Sequence, residues 1–142
     1  MALTGLLQAL QRLRTELSRS GGTETERERA AHVLLFPLCL AGPLRQTELA
    51  ELVHTDPSTV SRHVARLVER GLVTRVPDER DGRASLLVVT ERGTATAEAM
   101  RRERADHLRA VTADWDEDDL ATLARLMRRL TDDIGRRTSR TP

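Results

Sequence analysis

The stretch "DPSTVSRHVARLVERGLVTR", residues 56–75, predicts a short helix that passes directly into a strand. Asp56 is a natural N-cap because its carboxylate can accept hydrogen bonds from free backbone amides, and Pro57 suits the first helical position. Gly71 is typical of the residue that follows a helix. The stretch therefore predicts a helix that begins at Pro57 and ends at Gly71.

The two sides of this helix differ in chemistry. At about 100° per residue, Val60, Val64 and Leu67 share one side, which is the pattern of a face packed on a core. The opposite side is polar and cationic and carries Ser58, Arg62 and Arg66. Arginine can contact a phosphate or pair with guanine O6 and N7, and short hydroxyls near the helix start can contact phosphates or base edges. The polar side therefore has the composition of a DNA-reading face.

Short helix and strand patterns lie on both sides of this helix. Residues 46–53 predict a preceding short helix, and His54, Thr55 and Asp56 form a turn between the two. Residues 72–76 and 86–89 are apolar, β-branched runs joined by the polar loop "PDERDGRAS", which predicts a hairpin. Two helices, a tight turn and a hairpin form a winged helix-turn-helix. In that architecture the second helix lies in a DNA major groove and the hairpin loop reaches the neighbouring minor groove.

The N-terminal part predicts two further helices. Thr25 and Glu28 resemble a capping box that starts a helix through Leu38, after a loop at residues 18–25. Pro37 lies inside that pattern, removes one backbone donor, and should kink or shorten the helix. The first helix has an apolar stripe at helical spacing, formed by Leu3, Leu6, Leu7, Leu10, Leu13 and Leu17.

Two more helices are predicted after the hairpin. Thr90 caps a helix that runs past Met100 to about Val111, and Asp116 with the following acidic residues suits the first turn of the last helix. The apolar side of the last helix consists of Leu120, Leu123, Met127, Leu130 and Ile134. In one small domain, apolar stripes on both terminal helices are better used between the subunits of a symmetric dimer than in a plain core.

Composition narrows the classes of protein. A length of 142 residues predicts one domain, and a formal charge of +1 leaves nucleic-acid binding to be decided by where the charges lie. The single cysteine, Cys39, excludes an internal disulfide framework and fits a reducing compartment. The chain starts directly on a helical pattern, and its long apolar run at residues 30–44 is too short to span a bilayer. We expect a cytoplasmic protein with no membrane partner.

Catalytic and metal sites are not indicated. The sequence has no glycine-rich phosphate loop, nucleophile elbow or paired metal ligands, and its histidines are not spaced with cysteine or carboxylates in a catalytic pattern. A helix start explains the acidic run "DWDEDD", residues 114–119, better than a metal site does. We therefore predict no enzymatic activity, no metal and no cofactor.

Residues 44–93, "LRQTELAELVHTDPSTVSRHVARLVERGLVTRVPDERDGRASLLVVTERG", closely resemble the DNA-binding core of the multiple antibiotic resistance regulator (MarR) family. The hairpin loop has the D-x-R-x-x-R spacing typical of that family, in Asp78, Arg80 and Arg83. Where the family often has Gly or another small residue in the helix-turn-helix turn, this chain has His54 and Thr55. With the flanking helices, the resemblance covers nearly the whole chain.

The resemblance implies a fold that is mainly α with a small antiparallel β wing (α+β), in a single domain of residues 1–142. Residues 31–90 would form the winged helix-turn-helix lobe and residues 91–111 a connecting helix. Residues 1–20 and 112–138 would form the intertwined helices of an obligate homodimer. The dimerisation residues would be Leu6, Leu10, Leu13, Leu123, Met127, Leu130 and Ile134.

The resemblance further implies a repressor that binds a pseudo-palindromic operator in double-stranded DNA. Small-molecule effectors, often anionic phenolic compounds, or thiol oxidation would release it. The helix residues that lie near DNA would be Ser58, Thr59, Ser61, Arg62, His63 and Arg66. The wing would contribute Asp78, Arg80 and Arg83, with one Arg in the minor groove and an acidic neighbour bracing it.

Some alternatives stay open on the residues alone. Either Arg80 or Arg83 can lie at the wing tip. His63, at the boundary between the two helix faces, can pack against the core or contact a phosphate. Cys39 has apolar neighbours and is expected to be a small buried residue more than a redox sensor. The whole module could instead serve protein–protein assembly, which predicts DNA binding that is weak or indifferent to sequence.

Overall fold

The computed structural model describes the backbone of residues 1–19 and 26–138 and the side chains of residues 1–16 and 28–137. The capping box predicted at Thr25 and the side chain of Leu17 lie outside the described residues. The elements are α1 (Ala2–Arg19), α2 (Glu26–Val33), α3 (Leu35–Ala41), β1 (Leu44–Arg45), α4 (Gln46–Leu52), α5 (Pro57–Glu69), β2 (Val73–Asp78), β3 (Asp81–Val89), α6 (Glu91–Val111) and α7 (Glu117–Thr138).

Residues Met1–Ala99 form one compact unit, and a second begins at Met100. The first unit is helical apart from one three-stranded sheet in the order β1–β3–β2, in which both strand pairs are antiparallel. Helices α4 and α5 are followed by the β2–β3 hairpin. The predicted fold class, a mainly α protein with a winged helix-turn-helix, is confirmed.

Pro37 breaks the second predicted helix into two. Helix α2 ends at Val33 and α3 begins at Leu35. A proline at position 37 has no amide to donate to the carbonyl of Val33, and its ring clashes with that carbonyl. The amide of Leu34 instead donates to Ala31 O at 3.1 Å, a tighter turn than the α-helix. The predicted shortening is therefore confirmed.

The core of the first unit lies where α2, α3, α4, α5 and the sheet meet. The valines of the inner side of α5 are fully buried, as is Leu67, in agreement with the periodicity. Burial of each such side chain contributes about 1.5–3 kcal/mol. The largest fully buried residues are Leu35, Leu38, Leu49, Val60, Val64, Leu67, Val73 and Leu87.

Both helices of the helix-turn-helix end in the same hydrogen-bonded motif. At the end of α5, Gly71 N donates to Val68 O and Leu72 N donates to Leu67 O, both at 2.9 Å, and Gly71 has φ +69°. This is a Schellman ending, which places a left-handed residue just after the helix. Because Leu72 and Leu67 are both buried, the ending also fixes how the chain enters the wing.

At the end of α4, His54 takes the position that Gly71 takes after α5. His54 N donates to Glu51 O at 3.2 Å, and Thr55 N donates to Ala50 O at 3.1 Å. The φ angle of His54 is +50°, and within the described part of the chain no other non-glycine residue has a positive φ. The turn therefore keeps its geometry without a glycine, with His54 held in a left-handed conformation.

The wing is longer than the sequence predicted. Strand β2 covers Val73–Asp78 where residues 72–76 were predicted, and β3 covers Asp81–Val89 where residues 86–89 were predicted. The polar loop is reduced to a turn at Glu79 and Arg80. The polar residues of the predicted loop lie in the two strands, and apart from Asp78 their side chains are exposed or only partly buried. This part of the strands therefore has no alternation of apolar and polar residues from which it could be predicted. Strand β1 was also missed, because two residues carry no periodic signal.

The caps of the last two helices are as predicted. Thr90 Oγ1 accepts from Gly93 N at 3.0 Å and donates to Gly71 O at 2.7 Å, so it caps α6 and joins its start to the end of α5. Asp116 Oδ1 accepts from Asp119 N at 2.7 Å at the start of α7. Among the described residues, none of the helices has both the length and the apolarity needed to cross a membrane.

Candidate nucleic-acid interface

The start of α5 is fixed by the Asp56 carboxylate. Its Oδ1 accepts from the backbone amides of Ser58 at 3.0 Å and Thr59 at 3.2 Å, and from the Ser58 hydroxyl. These hydrogen bonds, first that of the Ser58 side chain, hold the pKa of Asp56 well below its usual range. Because the Ser58 hydroxyl donates to Asp56, its free lone pairs are suited to accept from a base amino group of adenine or cytosine.

The outward side of α5 carries the predicted DNA-binding residues. Ser58, Ser61 and Arg62 are exposed, while Thr59 and Arg66 are partly buried. Arg62 Nη2 donates to Thr59 Oγ1 at 3.2 Å, which directs the guanidinium along the helix toward its N-terminus. The structure therefore places these five side chains on the side away from the core, four of them in the N-terminal half of the helix and Arg66 in its last turn.

His63 lies between that face and the core. Its side chain is half-buried, and its Nδ1 atom is buried with no hydrogen-bond partner among the described residues. Burial, and then the nearby charges of Arg66 and Arg62, lower the pKa of His63. These effects favour the neutral form of the His63 imidazole.

The wing turn is organised by Asp78, which is only 6% exposed. Its Oδ1 accepts from Arg80 N at 2.9 Å, and its Oδ2 accepts from Arg45 Nε at 2.8 Å and Nη2 at 2.5 Å. The amide of Arg80 and the guanidinium of Arg45 together lower the pKa of Asp78. Asp78 is therefore an ionised, buried anchor for the wing.

The two wing arginines occupy different positions. Arg80 lies in the turn between β2 and β3 and is exposed. Arg83 lies in β3, with its amide donating to Asp81 Oδ1 at 3.2 Å. Opposite Pro77 and Asp78, β3 contains unpaired residues, since Pro77 pairs with Ser85 and Asp78 pairs with Asp81. Of the two arginines, Arg80 is the one at the tip.

Arg45 and Gln46 were not singled out from the sequence. Arg45 is the N-cap of α4 and Gln46 is its first residue. Each contacts the wing: Arg45 through Asp78, and Gln46 Oε1 by accepting from Arg75 Nη2 at 2.8 Å. No local pattern could have identified them, because their partners lie 33 and 29 residues away along the chain. They belong to the same surface as the wing base.

Apolar stripes cover one side of α1 and one side of α7. Every described side chain of α1 is exposed. The seven residues predicted to mediate dimerisation are between 38% and 58% exposed: Leu6, Leu10, Leu13, Leu123, Met127, Leu130 and Ile134. Such stripes are unusual on a helix that stays in water.

Comparison with known proteins agrees with this geometry. A model of the MarR family matches residues 28–85. The HTH-type transcriptional regulator YxaD of Bacillus subtilis is 33% identical over 103 residues, which cover 72% of each chain. The chain belongs to the MarR family. It is a transcription regulator with a DNA-binding winged helix, and its family membership shows that it is not an enzyme.

Solved structures resemble this MarR-family chain over most of its length. A probable transcriptional regulator from Pseudomonas aeruginosa is 30% identical, with a TM-score of 0.66 over 92% of this chain and 96% of that one. The PcaV transcriptional regulator from Streptomyces coelicolor, solved with its natural ligand, is 29% identical with a TM-score of 0.63 over 89% of each chain.

The first unit of this MarR-family protein, Met1–Ala99, also contains a cavity of about 380 Å³. The ion pair between Arg70 and Glu28 joins the end of α5 to α2 beside it. Arg70 is thereby held on the cavity side of α5. The lining consists of His32, Glu69, Arg70, Leu72, Arg92 and Thr96.

Cys39 is a free thiol that is partly buried and packs against the core. No cation is found beside it in sequence, and this position agrees with a small core residue. Within the described residues, there is no group of His, Cys, Asp and Glu side chains that could hold a metal ion.

Proposed function

We propose that this MarR-family regulator is a homodimeric repressor that reads a pseudo-palindromic operator in the cytoplasm and is released by a small ligand. The observation that carries the proposal is the pairing of a face of α5 that carries exposed Arg62 and partly buried Arg66 with a wing whose tip is Arg80. Both belong to one lobe, and both present arginine outward. Major-groove and minor-groove contacts from one lobe need this pairing.

The major-groove part of the proposal rests on α5. Its outward side presents hydroxyls and guanidinium groups, and the Asp56 cap fixes where the helix starts. Arg62 is exposed and long enough to reach guanine O6 and N7, and a bidentate contact of this kind discriminates against the wrong base by about 1–3 kcal/mol. Arg66, partly buried and one turn later, suits a phosphate contact that fixes the register.

The minor-groove part rests on the wing. Arg80 extends from a turn whose backbone is tied to buried Asp78, so the arginine is presented from a fixed base. A guanidinium in the minor groove is favoured where the groove is narrow, as in A·T-rich sequence. The wing would therefore add a preference for A·T-rich flanks to the half-site that α5 reads.

The dimer is supported by the exposed stripes of α1 and α7. Leu123, Met127, Leu130 and Ile134 recur at helical spacing along more than three turns of α7, and each is at least 38% exposed in the single chain. A second copy of the chain would cover these stripes. A two-fold axis in the protein requires inverted half-sites about one helical turn apart in the operator.

Ligand release is supported by the cavity and by one relative. PcaV, which is 29% identical, was solved with its natural ligand. In this chain, the cavity lining combines Arg70 and Arg92 with buried His32 and with Glu69, so it offers both cationic and anionic groups to a polar ligand. A ligand that binds one spacing of the two reading lobes better than another would change operator affinity by about 1–3 kcal/mol.

The test compares the unmodified protein with Arg62→Ala on an operator duplex and on duplexes with single base-pair changes. The unmodified protein should discriminate between them, and Arg62→Ala should lose about 1–3 kcal/mol of discrimination at particular base pairs. Arg125→Ala is the matched control, because it removes one exposed arginine from α7. Equal affinity and equal base preference in Arg62→Ala and the unmodified protein would contradict the assignment of α5 as the reading helix.

A further inference from the structure

We propose that Arg45 positions the wing: it holds Asp78, and through Asp78 the backbone of Arg80, at a fixed distance from the reading helix. This inference rests on the proposed function and assigns that function a residue outside α5 and the wing. Arg45 lies at the start of α4, and its guanidinium donates to Asp78 Oδ2 from two nitrogens, at 2.8 and 2.5 Å. A second, longer contact joins Arg45 Nη1 to Asp81 at 3.8 Å.

Arg45 occupies a position where helices ordinarily have a different residue. It is the N-cap of α4, where Ser, Thr, Asp or Asn would accept a hydrogen bond from a free amide. An arginine side chain has no acceptor, so it cannot cap. Its backbone amide donates to Glu48 Oε2 at 2.7 Å, which holds the backbone while the side chain extends to the wing. A residue that breaks a local preference in this way is expected at a functional position.

Asp78 transmits the contact to the wing tip. One of its oxygens accepts from Arg45 and the other from Arg80 N, so both oxygens are used by groups from different segments. Asp78 is 6% exposed and cannot exchange these partners freely with water. Gln46 provides a parallel contact lower on the wing, through Arg75. The start of α4 therefore contacts strand β2 at two positions, Asp78 and Arg75.

These two contacts fix the position of the wing relative to the reading helix, because α4 packs against α5. Leu49 of α4 and Val60 of α5 are both fully buried in the same core. Strand β1 supports the wing only where it pairs with Leu86 and Leu87, and the outer part is a two-stranded ribbon, which is flexible without further support. Holding it in the bound geometry before DNA arrives reduces the ordering cost of binding. Loss of the contacts between Arg45 and the wing should weaken operator binding even though Arg45 does not read a base.

The first test is Arg45→Ser, which supplies an ordinary N-cap and so should leave the fold intact. We expect operator affinity to fall about tenfold. In an Arg80→Ala background, Arg45→Ser should have no further effect, because the group that it positions is gone. An additive loss, accompanied by a salt dependence weaker by about one phosphate contact, would show that Arg45 binds the DNA backbone directly and would overturn the inference.

Sequence preference separates positioning from general damage. Arg45→Ser should lose the preference for A·T-rich flanks and keep base discrimination within the half-site, because α5 is untouched. Equal loss of both would indicate a merely structural role. Arg45→Lys keeps the charge but not the two-nitrogen fork, so it should recover only part of the flank preference.

Asp78→Asn tests the same contact from the other side. It removes a negative charge close to DNA, which by itself should strengthen binding. We expect binding to weaken instead, because Arg45 loses its ionised partner. Stronger binding would overturn the inference.

Amide hydrogen exchange of the free protein tests, without DNA, whether Arg45 holds the wing in place. Arg45→Ser should speed exchange of the wing amides, including that of Arg80, and leave α5 unchanged. Unchanged wing exchange would overturn the positioning role of Arg45. Lack of sequence-selective binding by the unmodified protein would instead overturn the proposed function, so the two failures are distinguishable.

Discussion

Gly93 lies against the backbone of Leu72: a β-carbon added to Gly93 would stand 2.0 Å from Leu72 O and 2.7 Å from Val89 Cγ1. The first turn of α6 therefore approaches the base of the wing as closely as its missing side chain allows. Gly93→Ala should lower the free energy of unfolding by about 1–3 kcal/mol, because backbone has to move. Urea unfolding followed by circular dichroism measures this loss.

Gly5→Ala is the control for that substitution. Gly5 is also a helical glycine, but a β-carbon there meets nothing within 4 Å. Alanine has the higher helix propensity by about 1 kcal/mol, so Gly5→Ala should leave stability unchanged or raise it. Equal destabilisation by the two substitutions would show that the approach to Leu72 is not the cause.

His54→Gly should stabilise the protein. His54 adopts φ +50° at the end of α4, and a left-handed conformation costs a non-glycine residue about 1–2 kcal/mol. Glycine has no such cost but loses more chain entropy on folding, so the net gain should be up to about 1 kcal/mol. His54→Val, with a β-branched side chain, should destabilise. Thermal unfolding of the three proteins would contradict this reading of the turn if His54→Gly were the least stable.

Stability should fall in acid partly through Asp56. The hydrogen bonds at the start of α5 depress the folded-state pKa of Asp56 below the ordinary value of 3.8. The unfolded chain therefore binds this proton first, and the contribution of the cap, fully present above that ordinary pKa, is lost as the pH falls toward the depressed one. Asp56→Asn keeps a hydrogen-bond acceptor but has no carboxylate to protonate. Its free energy of unfolding should therefore fall less over this pH range than that of the unmodified protein. Identical dependence of the free energy of unfolding on pH in the two proteins would contradict this role of the Asp56 carboxylate.

A charge on the α7 stripe should prevent self-association. Leu130 is 38% exposed in the single chain and lies at the middle of the stripe. Leu130→Glu would place an unpaired carboxylate in the proposed dimer interface and should weaken dimerisation by at least about a hundredfold. Ala121→Glu adds the same charge on the opposite side of α7 and should leave dimerisation intact. Sedimentation equilibrium measures both, and a Leu130→Glu protein that remains dimeric would contradict the proposed interface.

Helix α5 could be predicted from sequence because everything that defines it is local. Asp56 and Pro57 mark its start, Gly71 marks its end, and the spacing of Val60 and Val64 identifies the buried side. The structure changed none of these assignments. The Pro37 break is equally local, since the lost donor and the opposing carbonyl are four residues apart.

The wing and its support depend on contacts between distant segments. Strand β1 forms because Leu44 pairs with Leu87. The outer half of β3 has no alternation of apolar and polar residues from which a strand could be predicted. The role of Arg45 is visible only once Asp78 lies beside it. A local rule would have placed a capping side chain at position 45, so the arginine there was a departure without a visible reason in the sequence.

The proposed dimer would read one inverted repeat with two copies of this chain, and selection of duplexes from a random pool by the purified protein tests this arrangement. The selection should be run at low and at near-physiological salt. We predict a single enriched inverted repeat, with half-sites about one helical turn apart and A·T-rich flanks, that survives the higher salt. Enrichment that disappears with salt, or the absence of any motif, would mean phosphate attraction only and would contradict the claim in favour of an assembly module.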